Sequence, residues 1–508
     1  MNRTDKSIKN LVFALIAQGV TVILSFIIRT EMIRSLGIVS VSINGLFTDV
    51  IATLSLAELG IGSAIVYNLY KPLAEGDKKK ICQLMYLFKK AYTIIAAVTF
   101  AAGLALTPII HLLIEKVDIP IGYLRIVYLL FVFQNSLSYL FAYKIALVSA
   151  DQKQYIYSNI NLICRVVGSI ILIVVMRLTK AYIPYLIGNI AMVVTTNAIA
   201  SRAVDKEYPF LVDDPSLPKE EQKALFKNVR NIFFKSLAGT VVSSTDNILI
   251  SKLVGTLFVG YTSNYVLVTG VFQSLAGKAW DAMEASFANL FVTSDKEKIL
   301  ETIRRLTFVF FLFGIVSSVG AYACVQSFIM IWLHETSFLL PKLSVFLLCL
   351  LLFLMIVYRP LTAAMHMTGY FEIGRNISAT SALVNLVVSI VLGLMIGLPG
   401  IYIGTCCTYA IEVIAKIYFV FNKYFRTSPI SYVLMWIKML STLIVSCLIL
   451  DLIAAHIPFG YIPTFLIMGL TGMALVAVFV LILFGKSDEM DYVIYMIKEY
   501  SGKLKNRA

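Results

Sequence analysis

The chain has 508 residues, of which 59% are hydrophobic and only 14% are charged, and its formal net charge is +14 at pH 7. A soluble protein would carry charge on about a quarter of its residues, so the composition excludes an ordinary soluble enzyme and favours a membrane protein. The positive charge does not indicate a nucleic-acid partner, because lysine and arginine lie in short loops between apolar segments, where anionic lipid attracts them.

About fourteen apolar segments are long enough to cross a bilayer, whose hydrocarbon core of about 30 Å needs about 20 residues per helix. In chain order, we predict spans at 8–34, 42–69, 89–114, 122–149, 155–176, 182–200, 229–253, 258–292, 302–332, 337–366, 374–396, 399–422, 432–455 and 461–485. The predicted fold class is therefore an all-α integral membrane protein. It consists of two six-helix bundles, related as repeats around a central cavity, and two C-terminal helices.

Lysine and arginine alternate between the two sides of the predicted membrane. They are about four times as frequent on the side that holds the segments 71–90, 202–230, 296–305 and 486–507. The positive-inside rule assigns this side to the cytoplasm, so both termini are predicted to be cytoplasmic.

The longest polar stretch follows the sixth span and divides the chain. We predict an N-terminal bundle at 1–200, a cytoplasmic linker at 201–228, a C-terminal bundle at 229–424, helices 13 and 14 at 425–486 and a cytoplasmic tail at 487–508. The linker reads as an amphipathic helix from Ser216 to Arg230, with Leu225, Phe226 and Val229 expected to face lipid.

The two bundles repeat a sequence pattern. The segment Ser25–Gly37 resembles Thr245–Gly255, and their final glycines lie 218 positions apart. A similar offset relates the polar turns Ala150–Gln154 and Thr368–Glu372. An even number of spans per repeat predicts parallel repeats about an axis along the membrane normal.

Ionisable residues inside apolar spans mark candidate binding sites, because each costs about 2.5–3.5 kcal/mol at the bilayer centre. Arg165 lies near the middle of the fifth span. A guanidinium can bond two phosphate oxygens at once, so this residue is a candidate for binding a phosphate. For Arg165, a salt bridge to another span or a side chain that snorkels towards water remains the alternative. For Arg29 in the first span, the alternative is a side chain that snorkels towards water.

The seventh span carries a polar stripe that includes Lys235, Asp246 and Asn247. It predicts either a cavity wall or helix packing through small polar residues. Asp49 and Glu58 in the second span could bind a coupling cation or pair with Arg29 or Arg125. By contrast, Glu412 and Lys416, four residues apart, are predicted to form a structural ion pair.

The chain lacks the sequence patterns of several enzyme and cofactor classes. It has no GxxxxGK[ST] loop for ATP, no HExxH and no CxxC pair, and its four histidines lack metal-ligand spacing. We therefore expect no cofactor, no bound metal and no catalytic residues; in short, not an enzyme.

Two stretches at the start of the chain resemble a known family. They are FIIRTEMIRSLG at 26–37 and LAELGIGSAI at Leu56–Ile65. They are similar to the first two spans of lipid-linked saccharide flippases in the multidrug/oligosaccharidyl-lipid/polysaccharide (MOP) exporter superfamily. Arg29, Glu31, Arg34 and Gly37 occupy the flippase pattern, although Thr30 separates the first basic residue from the acidic one. Glu58 occupies the small-acidic-small element of the second span.

This resemblance implies a flippase of the bacterial plasma membrane. It would move polyprenyl-(pyro)phosphate-linked oligosaccharide to the outer leaflet by alternating access, for cell-surface polysaccharide biosynthesis. The candidate cavity residues are Arg29, Arg34, Glu58, Arg165, Lys235, Asp246 and Asn247, with Asp49 and Glu58 as candidates for ion coupling.

The expected partners are the lipid-linked substrate and membrane lipids, for a monomer that works near polymerases and glycosyltransferases. Two alternative functions remain. A cation-coupled exporter of organic cations would favour carboxylates without nearby basic residues. A membrane-embedded enzyme of polysaccharide synthesis would favour larger outer loops.

Overall fold

The computed structural model describes residues 3–58, 61–223, 225, 244–456 and 460–505. These residues form helices joined by short turns, and no strand occurs among them. The helices are α1 (Arg3–Leu54), α2 (Ile61–Glu75), α3 (Lys78–Leu106), α4 (Ile121–Ala150), α5 (Tyr155–Thr179), α6 (Tyr182–Glu207), α7 (244–249, continued by a π-helix at Ile250–Val254), α8 (Thr256–Thr293), α9 (Lys296–Leu333), α10 (Lys342–Val357), α11 (Arg359–Met367), α12 (Phe371–Ile396), α13 (Leu398–Ile417), α14 (Ile430–Ala454), α15 (Tyr461–Phe484) and α16 (Asp488–Lys505).

Ten helical segments within the described residues are long and apolar enough to cross a membrane. They coincide with the predicted spans three to six and nine to fourteen. Spans one, two and eight lie on α1, α2 and α8, and most of span seven lies outside the described residues. The structure therefore confirms an all-α multi-pass membrane protein.

The second predicted span is interrupted. Helix α1 kinks at Gly37 (φ 77°, ψ 166°) and continues to Leu54. A 3-10 turn at Ser55–Glu58 follows, and α2 begins at Ile61. Non-helical backbone within the membrane is found only where protein buries it or where it lines a water-filled cavity. In lipid, its N–H and C=O groups would lack hydrogen-bond partners.

The backbone supports the internal repeat. Ten described residues have φ in the left-handed region, and eight of them form four pairs separated by 217 or 218 positions. The pairs are Gly37 with Gly255, Lys116 with His334, Gln152 with Gly369, and Lys180 with Gly397. Two of these pairs are the turns that the sequence repeat predicted. Chain reversals therefore recur at one spacing even where residue identity is lost.

The chain divides into two compact units, residues 1–260 and 261–508. Within the second unit, α12 packs closely on α13, and α9 packs on both α10 and α15. The bundle and linker boundaries predicted from sequence stay predictions.

The segment that follows α6 packs on helices α2, α3 and α4 of the same unit. Tyr208 and Leu217 are buried in an apolar cluster with residues of α2, α3 and α4, and Leu225 packs against the same cluster. Lys89 Nζ lies 2.6 Å from a carboxylate oxygen of Asp213, which ties this segment to α3. Leu225, which was expected to face lipid, is half-buried against this protein cluster; Phe226 and Val229 lie outside the described residues.

Replacing Gly37 by alanine is expected to destabilise the protein by about 1–3 kcal/mol, because only glycine adopts this backbone conformation without strain. A Cβ atom at this position would meet no other atom within 4 Å, so the cost comes from the backbone alone. Thermal unfolding in detergent measures the effect.

The matched control is Gly19→Ala, where the space is equally open and φ is not positive. That change is expected to be neutral or stabilising by up to about 1 kcal/mol, since alanine favours a helix. Equal effects of the two changes would contradict a special role for Gly37.

Candidate functional site

Two arginines lie along the face where α1 meets α5. Arg165 Nη2 donates a hydrogen bond to Ser25 Oγ, 3.1 Å away. Arg29 follows Ser25 by four residues, so the two share one face of α1. Arg29 is half-buried and lies within electrostatic reach of Tyr182 and Tyr185 on α6. We call Ser25, Arg29 and Arg165 the cationic face.

Arg165 has a polar partner but no carboxylate partner among the described residues. Within the described part of the chain, Arg165 thus meets a hydroxyl and not a carboxylate. A hydroxyl leaves the guanidinium positively charged and with further N–H donors for an anion.

Glu31 is buried and pairs with Arg177 at the end of α5, with 2.8 Å between Oε2 and Nη2. Ser35 Oγ donates to the same carboxylate at 2.7 Å. The sequence analysis did not identify this pair. The signal was that Glu31 and Arg177 end two spans that run in the same direction. Arg34, one turn beyond Glu31, is exposed.

Asp49 and Asn247 join α1 to α7. The side chain and the backbone N–H of Asn247 both donate hydrogen bonds to the carboxylate of Asp49. Asp246 is half-buried next to Asn247. The sequence analysis proposed Asp49 for ion coupling and Asn247 for the cavity, but in the structure these two residues contact each other. Lys235, on the same predicted stripe, lies outside the described residues.

Glu58 lies in the 3-10 turn, within electrostatic reach of the hydroxyl of Tyr139 on α4. Asn135 Nδ2 donates to Ser55 Oγ at 3.0 Å. The ring of Tyr92 on α3 stacks on that of Tyr139, with 6.3 Å between centroids. We call this set the Glu58 cluster. The sequence identified Glu58 as a candidate but missed both tyrosines, because aromatic residues in apolar spans usually pack in the core.

The structure thus places the described candidates of the first unit, apart from Arg34, in or beside three polar groups: the cationic face, the Asp49–Asn247 contact and the Glu58 cluster. Among the described residues, Asp49 meets the neutral Asn247 and Glu58 lies near the neutral Tyr139, whereas Arg125 donates a hydrogen bond to the carbonyl of Pro108.

Solved structures of known transporters resemble this chain. One is titled lipid II flippase MurJ in an inward closed conformation; the TM-score is 0.64 at 15% identity, over 93% of this chain and 99% of that one. Another is an inward-facing multidrug resistance MATE family transporter of the MOP superfamily, with a TM-score of 0.57 at 13% identity over 77% and 92% of the two chains. This chain has the MOP transporter fold. A third match, the MATE multidrug transporter DinF-BH, gives 0.56 at 14% identity over 82% and 95%.

The evidence for the MOP fold comes from structure. No protein-family model matches the sequence, and no curated protein matches it either. At identities of 13–15%, the likeness establishes the fold and leaves the substrate open.

Proposed function

We propose that this chain is a flippase that moves polyprenyl-(pyro)phosphate-linked oligosaccharide from the cytoplasmic to the outer leaflet by alternating access. The observation that carries the proposal is the cationic face, where Arg165 lies within an apolar span and is held by a hydroxyl rather than a carboxylate. In support, the likeness to a lipid II flippase extends over 93% of this chain, whereas that to the two MATE transporters extends over 77% and 82%.

A phosphate-linked lipid has the chemistry that this face would bind. Its head is anionic, and guanidinium groups bond phosphate oxygens in a bidentate geometry. The attraction is stronger away from bulk water, since a lower dielectric constant increases the Coulomb energy. The polyprenyl tail would stay in the bilayer while the head crosses.

The cellular setting belongs to the same proposal. The flippase would lie in the bacterial plasma membrane with both termini in the cytoplasm. It would work as a monomer, near the polymerases and glycosyltransferases of cell-surface polysaccharide biosynthesis.

A second candidate function is a cation-coupled exporter of organic cations. The Glu58 cluster favours it, because a half-buried carboxylate among tyrosine rings can bind a cation by charge and by cation–π attraction. Two solved structures with the same fold are titled as multidrug transporters. Against it, the cationic face repels cations.

Proteoliposomes distinguish the two functions. The purified protein is reconstituted with a fluorescent polyprenyl-pyrophosphate oligosaccharide, and a membrane-impermeant quencher reports the label that reaches the opposite leaflet. We expect exposure of the label well above that in protein-free liposomes and no accumulation of a rhodamine-type organic cation. Cation accumulation with no exposure of the lipid, over a panel of head groups, would overturn the flippase proposal in favour of the exporter.

A further inference from the structure

A cavity of about 140 Å³ lies at one end of the second unit, among α9, α10, α14 and α15. Lys342 begins α10, and Asp451 lies in the last turn of α14. Thr464, in the first turn of α15, lines the same cavity. Because helix ends of a membrane protein lie at the interface, the cavity is at headgroup depth. On the predicted topology this is the outer face.

The cavity presents charges of both signs. Tyr322 Oη donates a hydrogen bond of 2.8 Å to Asp451 Oδ2 and so fixes the carboxylate. Lys342 Nζ lies 3.7 Å from Asp451 Oδ1, an ion pair too long for a hydrogen bond. The lysine side chain is 69% exposed and that of the aspartate 39%, so both remain accessible to a ligand.

Two further polar side chains line the cavity, those of Gln326 and Ser327. Gln326 Nε2 donates to the carbonyl of Leu340 at 2.7 Å, and no donor to Gln326 Oε1 occurs among the described residues. This amide oxygen can therefore accept a hydrogen bond from a ligand with N–H donors.

The apolar side of the cavity is formed by residues such as Val345, Leu450 and Met468, all buried. Leu452 on α14 and Leu470 on α15 are 68% and 74% exposed, as expected of side chains in contact with acyl chains. A ligand of this cavity is therefore amphipathic. A cavity of about 140 Å³ has room for a small head group.

We propose that this cavity binds the head group of an amino-phospholipid, a phosphoethanolamine. Its phosphate bonds the ammonium of Lys342, and its primary ammonium donates to Asp451 Oδ1 and Gln326 Oε1. The cavity belongs to the second unit and the cationic face to the first, so this site does not rest on the proposed function. Trimethylation of the amine removes its N–H donors, so phosphatidylcholine binds less well although its charges are the same. Phosphatidylglycerol lacks the amine altogether.

Native mass spectrometry of the full-length protein tests this proposal. The protein is incubated with equal amounts of phosphatidylethanolamine, phosphatidylcholine and phosphatidylglycerol that carry identical acyl chains. We expect wild type to retain the ethanolamine lipid about tenfold more than either of the others, a difference of about 1.4 kcal/mol in binding free energy. Equal retention of the three lipids would overturn the proposal.

Three variants locate the effect. Asp451→Asn is expected to bring the ratio of ethanolamine to choline lipid close to one, whereas the control Asp488→Asn, an exposed carboxylate in the first turn of α16, should leave it unchanged.

Ala454→Leu places extra volume in the cavity without changing a charge and should abolish selective binding. Thermal unfolding with and without the lipid verifies folding: the lipid should raise the melting temperature of wild type and not that of Ala454→Leu. An unchanged lipid ratio in Asp451→Asn would contradict the assignment of Asp451 to the amine.

Discussion

Replacing Arg165 by alanine is expected to lower the initial rate of lipid exposure by about 10- to 100-fold. A hydrogen bond to a charged group contributes about 1.5–3 kcal/mol, and each 1.4 kcal/mol is a factor of ten. The change removes a cation from the cationic face and breaks the hydrogen bond to Ser25 Oγ. The measurement is the quencher assay in proteoliposomes.

Arg165→Lys separates charge from geometry. Lysine retains the positive charge but lacks the planar fork, so a rate between those of wild type and Arg165→Ala would indicate bidentate binding of phosphate. Ser25→Ala removes the hydroxyl that holds the guanidinium and should have a smaller effect. If Arg165→Ala flips the lipid at the wild-type rate while it remains folded, Arg165 is structural, and Arg29 and Lys235 become the next candidates.

Replacing Lys416 by methionine is expected to destabilise the second unit by about 3–5 kcal/mol, because it leaves a buried carboxylate without its cation. Lys416 is 4% exposed and donates to Glu412 and to Thr362 Oγ1, the latter at 3.0 Å. Ser378 Oγ donates to Glu412 at 2.9 Å. This network joins α11, α12 and α13, and it confirms the ion pair predicted from the sequence.

Thermal unfolding in detergent measures this loss. For a unit of this size we expect a fall in melting temperature of about 6–20 °C, at about 2–4 °C per kcal/mol. The double variant Glu412→Gln with Lys416→Met should recover most of the loss, since no unpaired charge remains and the glutamine can still accept from Ser378.

The control for this experiment is Lys71→Met, in the exposed pair with Glu75, whose side chains are 82% and 58% exposed. It should change stability by less than about 1 kcal/mol. A double variant that is no more stable than Lys416→Met alone would show that the buried charge is not the cause.

Much of the fold could be predicted from local sequence. Apolar segments of span length predicted the membrane helices, because the cost of exposing polar backbone to lipid leaves a helix as the only structure for such a segment. Gly37 and Gly255 predicted equivalent turns, and both have positive φ in the structure. The ion pair of Glu412 and Lys416 could be read directly, since residues four apart lie on one face of a helix.

The candidate site required tertiary structure. The contacts of Arg165 with Ser25, Asp49 with Asn247, and Glu58 with Tyr139 join residues far apart in the chain.

Apolar length and charge position in the sequence were enough to predict a multi-pass helical membrane protein with an internal repeat, and to locate the charged residues inside its spans. The partners of those charges came from the fold: Glu31 pairs with Arg177, whereas Arg165 meets a hydroxyl. A membrane helix is apolar on nearly every side, because lipid and protein interior are equally apolar. Its hydrophobic pattern therefore fixes its depth but neither its rotation nor its neighbours, and rotation and neighbours determine which charges meet.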